Sequence, residues 1–186
     1  MDVSSAAAKV RRFEEQILPH LPDLYRAARR LVRRAEEAED LVQETCLRAF
    51  GSLDQLRHPE AAKAWVFTVL RSVFLRDAAR WDRVRSVVAD GPGSFVADGP
   101  AEASTVESPW RGALLEEARL ATQRLPVAFR EVVVLAHIGG FSYREMATIL
   151  GIPVGTVMSR LFRARRLLRS ALGVGAEDRH RSEMSQ

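Results

Sequence analysis

Apolar residues in this chain recur every three or four positions, and no segment alternates convincingly between apolar and polar with period two. A helix gathers such positions on one face, whereas a half-buried strand needs alternation, so the pattern predicts an all-α fold. Ile17, Leu21, Leu24, Ala28 and Leu31 form the first series, with Pro19 and Pro22 breaking or opening the helix. Glu36–Phe50 follows, with Ala38, Leu41, Val42 and Ala49 apolar and an acidic first turn that suits the helix dipole. Gly51–Pro59 reads as a loop. Glu60–Asp82 then sets Trp65, Val69 and Val73 beside Val66, Leu70 and Phe74, two adjacent i+4 ridges that would bury one face.

The second half has four helical candidates. Leu114, Leu115, Ala118 and Thr122 mark the first. Pro126 opens the second, and Gly139-Gly140 ends it. Val132 to Leu135 inside it has strand propensity, but the stripe Phe129, Val132, Val133 and Ala136 and the length of the segment favour a helix. Ser142-Tyr143-Arg144-Glu145 is a capping box for the third, which stops at Gly151. Pro153 opens the fourth, which runs through Leu172.

Charge divides the 186 residues. Residues 1–85 carry net +3, residues 86–110 net −4 with no base at all, residues 111–172 net +6, and the last fourteen net −1. The base-free stretch holds Asp90, Asp98, Glu102 and Glu107 among several glycines and prolines, and repeats Val88–Pro92 at Val96–Pro100. Five residues are too few for a solenoid unit, so this is low-complexity linker. The expected organisation is therefore two small helical domains, 1–85 and 111–172, joined by a flexible acidic linker at 86–110, with a disordered tail at 173–186.

Several classes drop out. A lone cysteine, Cys46, excludes a disulfide framework and a Cys-rich zinc site, and it sits on an apolar helix edge where packing suits it better than nucleophilic attack. His20, His58, His137 and His180 share no spacing, and no glycine-rich phosphate loop with its lysine is present. The expectation is a non-enzyme without metal or cofactor. No apolar run approaches the ~20 residues of a membrane span, and the N-terminus lacks a signal-peptide core, so a cytoplasmic protein without membrane insertion is expected. Of 28 cations, 26 are arginine, which suits phosphate and guanine edges and equally fits a GC-rich genome.

The third and fourth helices of the second half, joined by Gly151-Ile152-Pro153, make a helix-turn-helix pattern or a plain αα-hairpin with a solvated arginine face. Ile149, Leu150, Val157 and Leu161 can share one core, with Ala147 small enough for close approach. That leaves Thr156, Met158, Ser159, Phe162 and Arg163 near the open N-terminal part of the last helix, where base edges are met, and Arg165, Arg166 and Arg169 farther along for phosphates. The run from Phe141-Ser142-Tyr143-Arg144-Glu145-Met146-Ala147 through Gly155-Thr156-Val157-Met158-Ser159-Arg160-Leu161-Phe162-Arg163-Ala164-Arg165 resembles region 4 of the extracytoplasmic-function (ECF, group 4) sigma factors of bacterial RNA polymerase. Ala38-Glu39-Asp40-Leu41-Val42-Gln43-Glu44-Thr45 with Arg48-Ala49-Phe50 resembles region 2.2, and Ala64-Trp65-Val66-Phe67 through Arg71 and Asp77 resembles regions 2.3 and 2.4.

The resemblance implies a sigma factor that binds core RNA polymerase and reads the −10 and −35 elements of promoter DNA. Asp40, Leu41, Gln43, Glu44 and Arg48 would dock on the polymerase clamp. The loop Gly51–Pro59 and the following helix would take the −10 element and trap an extruded base, with Arg57, His58, Lys63, Arg71, Ser72 and Arg76 at the displaced strand. Thr156, Met158, Ser159, Arg160, Phe162, Arg163, Arg166 and Arg169 would meet the −35 element. Many family members carry asparagine where Ser72 stands and arginine or lysine where Met158 stands, so the resemblance implies the role and not the promoter sequence. The acidic linker would thread a polymerase channel shaped for a polyanion, or serve only as a soluble tether. With no sensory extension, sensing would fall to an anti-sigma factor. The rival class is a two-domain helix-turn-helix regulator that never binds polymerase, which a pull-down with core polymerase distinguishes.

Overall fold

Proline stands in the first turn of three of the N-terminal elements, at Pro19, Pro22 and Pro59. The computed structural model describes residues 3–88 and 109–172, with side chains over 6–76 and 115–172. Helix α1 (Val3–Gln16) stops before a 3₁₀ turn at Leu18–His20 that carries Pro19, and α2 (Leu21–Leu31) accepts Pro22 in its first turn, where no amide is missed. In α3 (Ala35–Gly51), Glu37 reaches back to the Arg34 amide at 3.2 Å, and Glu36 and Glu37 place negative charge at the positive end of the helix. Short 3₁₀ turns at Leu53–Gln55 and Pro59–Ala61 lead into α4 (Ala62–Val88). After α5 (Pro109–Arg124) come α6 (Val127–Val134), a π-helical turn at Leu135–Gly139, α7 (Tyr143–Leu150) and α8 (Val154–Ala171). No strand occurs among the described residues, as the periodicity predicts.

Contacts gather the chain into two units, Met1–Ala28 with Arg34–Ser104, and Arg29–Arg33 with Thr105–Gln186. Residues 29–33, expected in the first domain, thus group with the second. Helix α4 also continues to Val88, past the expected boundary at 85, because no glycine or proline interrupts it before Gly91. The acidic residues Asp90, Asp98, Glu102 and Glu107 and the tail Arg179-His180-Arg181 lie outside the described residues.

In the first unit α3 packs on α4. Leu24, Ala27 and Ala28 of α2, Ala38, Leu41, Val42 and Ala49 of α3, and Val66, Phe67, Leu70, Val73 and Phe74 of α4 are all buried. Each large side chain among them contributes about 1.5–3 kcal/mol of transfer free energy. The two ridges of α4 are therefore unequal: Val66, Leu70 and Phe74 are core, whereas Trp65 and Val69 are half-buried and Phe67 takes the inner position instead. Thr45, the buried polar residue of α3, donates its hydroxyl to the Leu41 carbonyl at 2.6 Å. Helix α1 answers to no series identified in the sequence; it is an addition to the expected fold.

In the second unit α6, α7 and α5 pack on α8. Val132, Val133, Val134 and Leu135 are buried as helix and not as strand, together with Met146, Ile149, Leu150, Val157, Leu161 and Ala164. Gly139 has no room for a side chain, since a Cβ there would lie 2.3 Å from the Phe141 ring. The capping box at α7 is complete: the Glu145 amide donates to Ser142 Oγ at 3.3 Å and the Ser142 amide to Glu145 Oε2 at 2.8 Å. Gly151 closes α7 at φ 62°, the left-handed region that glycine enters without steric cost, and the Ile152 amide reaches back to the Ala147 carbonyl at 3.1 Å.

Candidate functional site

Three surfaces carry the residues singled out in the sequence. The first is the outer side of α3. Asp40 and Gln43 are exposed, and Glu44 and Arg48 are half-buried. Glu44 Oε1 accepts from Arg48 Nε at 2.7 Å and from Arg76 Nη2 at 3.0 Å, so a docking candidate and a −10 candidate share one ion-pair cluster between α3 and α4. Leu41 does not belong to this surface. It is 1% exposed, directed into the core, and its part in any docking is to hold the helix from beneath. Leu47 was missed by the sequence reading: it is 64% exposed, one turn beyond Gln43 and Glu44, on the face they share. Beside this face Leu21, Pro22, Tyr25, Glu39, Val42, Gln43 and Cys46 line an apolar groove of about 480 Å³. Burial pushes the Cys46 thiol up, which keeps it protonated and agrees with a packing role.

The second surface is the loop after α3 and the exposed side of α4. Leu53 and Leu56 are buried and pin the loop, leaving Arg57 and His58 exposed. His58 Nδ1 lies 3.2 Å from Glu60 and pairs with it when protonated. Lys63 Nζ is 3.0 Å from Asp23, and Arg71 is half-buried. Ser72 is exposed and donates its hydroxyl to the Val69 carbonyl at 2.8 Å. From Lys63 to Arg76 these residues span roughly 20 Å of helix at 1.5 Å per residue, so they form a track and not a cluster. Thr68 and Leu75 are exposed on the same helix and were not singled out.

The third surface is α8. Val157, Leu161 and Ala164 are buried beneath it, and Met158, Ser159, Phe162, Arg163, Arg165, Arg166 and Arg169 are exposed above. Thr156 and Arg160 are half-buried at the flank, with Thr156 accepting from Ser159 Oγ at 3.1 Å through its carbonyl. Met158 and Phe162 stand 52% and 70% exposed, large apolar side chains that the fold does not cover. Pro153 caps the helix without a side-chain acceptor. Tyr143 and Arg144 are exposed in the first turn of α7. Burial first, and then the Arg165 and Arg30 charges, push His137 down from the ordinary histidine range.

Among the described residues no group of histidine, cysteine and carboxylate side chains could hold a metal ion, and no helix is long and apolar enough to cross a membrane. Residues 17–84 match the family described as Sigma-70 region 2, and residues 115–168 that described as Sigma-70, region 4. The ECF RNA polymerase sigma factor EcfG of Rhodopseudomonas palustris is 40% identical over 168 residues, covering 88% of this chain and 87% of that protein. The ECF RNA polymerase sigma factor SigL of Mycobacterium tuberculosis is 37% identical over 177 residues, covering 90% and 93%. Among solved structures, the sigma factor RpoE in complex with the anti-sigma factor NepR, from Bartonella quintana, matches with a TM-score of 0.73 at 32% identity, over 88% of this chain and 98% of that one. The matched segments contain the α3 face, the loop and α4 up to residue 84 on one side, and α7 with α8 up to residue 168 on the other, region 2 ahead of region 4. The chain belongs to the ECF sigma factors of RNA polymerase.

Proposed function

We propose a division of labour along the chain for this sigma factor, whose partners are core RNA polymerase and promoter DNA. Asp40, Gln43, Glu44 and Arg48 on α3 dock on polymerase, with Leu47 as the apolar centre of that face. Arg57 and His58 on the loop, and Lys63, Arg71, Ser72 and Arg76 along α4, handle the −10 element. Thr156, Met158, Ser159, Arg160, Phe162 and Arg163 read the −35 element, and Arg166 and Arg169 hold phosphates. Domains 1–85 and 111–172, with the acidic stretch 86–110 between them, are the functional pieces. The protein works in the cytoplasm, where its polymerase is, without catalysis of its own, and an anti-sigma factor restrains it as NepR accompanies the Bartonella relative.

The observation that carries this reading is the make-up of α8: uncovered side chains that suit base edges fill its N-terminal half, and exposed arginines follow them. That order matches how a recognition helix enters a major groove, with base contacts first and backbone contacts behind. The polymerase half is tested by charge reversal. Asp40→Lys with Glu44→Lys is expected to abolish binding to core polymerase and run-off transcription while leaving α8's binding to duplex DNA intact. Wild-type affinity for core polymerase in the double variant would remove α3 from the docking role.

A further inference from the structure

Helix α1 lies ahead of the segment that matches region 2, which begins at residue 17, and none of its residues has a part in the reading above. Its contacts nevertheless converge on one stretch of backbone. Arg12 Nη2 donates to the Leu56 carbonyl, and Arg12 Nε is steadied by Gln16 Oε1 at 3.2 Å. Lys9 Nζ donates to Asp54 Oδ2 at 3.1 Å and reaches the Gly51 carbonyl at 3.5 Å. The Phe13 ring meets Phe50 edge-on, with centroids 5.5 Å apart and planes at 77°, and Lys9 Nζ stands 5.6 Å from the centre of the Phe50 ring. Apart from Gln16 within α1 itself, every one of these partners lies between residues 50 and 56, the approach to the exposed pair Arg57 and His58.

The loop is thus held from two sides. Leu53 and Leu56 are buried in the core, and α1 grips the backbone and the acid between them. Leu56 is the last buried residue before Arg57; its backbone is extended, φ −77° and ψ 94°, and the His58 carbonyl beyond accepts from the Ala61 amide of the next turn, at 3.0 Å. A carbonyl held by a guanidinium is a charge-assisted, geometrically demanding contact. Fixing it beforehand removes ordering entropy that strand capture would otherwise have to offset.

We propose that Arg12, supported by Lys9, is a positioning residue for −10 recognition: α1 holds the Gly51–Leu56 backbone so that Arg57 and His58 meet the DNA strand already in place. The proposal rests on the assignment of the Gly51–Pro59 loop to the −10 element. It separates promoter opening from polymerase docking, because none of the contacts that Arg12 and Lys9 make here involves Asp40, Gln43 or Leu47 on the docking face.

The test uses full-length protein with core polymerase on a promoter duplex carrying 2-aminopurine in the −10 element, so that unstacking is read as fluorescence. Arg12→Ala is expected to reduce opening about tenfold, the scale of ordering one backbone residue during the step and not before it. Lys9→Ala should do the same more weakly, and Arg12→Lys should recover most of the loss. Affinity for core polymerase stays within about twofold of wild type, and the salt dependence of duplex binding does not change, because no phosphate contact is removed. Arg57→Ala with His58→Ala is the reference that reports the loop itself. If that reference loses opening and Arg12→Ala and Lys9→Ala do not, the loop works unaided and the positioning role is wrong. If the reference opens like wild type, the −10 assignment fails and the proposal falls with it. A salt slope lower by about one would make Arg12 a phosphate ligand, and a parallel loss of polymerase affinity would make it a general stabiliser; either overturns the proposal.

Discussion

Asp23 is the point where three titratable groups of the first unit meet. Burial by itself would raise its carboxyl, but hydrogen bonds from Arg26 and Lys63 outweigh it and hold the group below the usual carboxylate range. His20 nearby is pushed down by burial first and then by the Lys63 charge, with Asp23 opposing. The signs follow from linkage. A carboxyl depressed in the fold contributes stability that is present above its unfolded value, ~3.9, and is lost as pH falls through the folded value. A histidine depressed in the fold likewise favours the native state at neutral pH and releases that stability as pH drops below about 6.5. Asp23→Asn is therefore expected to cost roughly 1 kcal/mol at pH 7, where a charge-assisted contact is exchanged for a neutral one, and to flatten the loss of stability below pH 4. Denaturant melts of wild type and variant at pH 7, 5 and 3 check both parts; identical pH profiles would assign the acid sensitivity to other carboxylates.

At the scale of elements, what the sequence made legible is what local chemistry decides. The α7 cap and its glycine stop were readable because each acts locally: Ser142 and Glu145 bond each other three residues apart, and the Gly151 amide reaches carbonyls no more than four residues back. Replacing Ser142 by alanine should cost about 1 kcal/mol, and Gly151→Ala a similar amount for forcing a Cβ into φ 62°; loss of amide exchange protection confined to α7 is the readout. Helix α1 was not legible for the opposite reason: Arg12, Lys9 and Phe13 find their partners about forty residues away, at Leu56, Asp54 and Phe50, and no local pattern encodes that. The phase of α3 was half legible. Ala38, Leu41, Val42 and Ala49 stand on one helical stripe and are buried, so Leu41 cannot also serve on the docking face, whereas Leu47, five and six residues beyond Val42 and Leu41, falls off that stripe and is exposed. In α8 Val157 and Leu161, expected in the core, are buried together with Ala164, and Met158, Ser159, Phe162 and Arg163 stand exposed as expected while Thr156 is half-buried, so the use of this face can be tested residue by residue. Arg166→Ala or Arg169→Ala should weaken binding to all −35 duplexes alike and flatten the salt slope by about one unit each. Ser159→Ala or Arg163→Ala should change the preferred base, at roughly 1–3 kcal/mol per lost contact. Selection on randomised duplexes would give the same logo for Arg163→Ala and Arg169→Ala if α8 does not enter the groove by its N-terminal half.

Over the whole molecule, charge is laid out in blocks, and the blocks oppose one another. Residues 111–172 carry net +6 beside a stretch, 86–110, of net −4, and the complete chain stands at +4. The positive block attracts any DNA through its phosphates, whereas a carboxylate-bearing segment tied covalently to it competes for the same arginines and repels the same duplex. Held by the chain, that segment would act at high effective concentration in the free protein. Its expected effect on the free protein is to lower non-specific binding, which reserves the arginines of α8 for promoters met in the holoenzyme. Converting Asp90 and Asp98 to asparagine and Glu102 and Glu107 to glutamine removes four carboxylates and raises the formal net charge from +4 to +8. The variant should bind random duplex several-fold more tightly near 0.05 M salt, and the difference should fade toward 0.5 M as the Debye length falls to about 4 Å. Equal affinities at low salt would mean that the acidic stretch does not screen the DNA surface. The same variant separates the two roles that the linker's acidity suggests: a segment that must enter a polyanion channel of polymerase loses run-off activity when neutralised, even at salt where duplex binding is unchanged, whereas a simple tether keeps it.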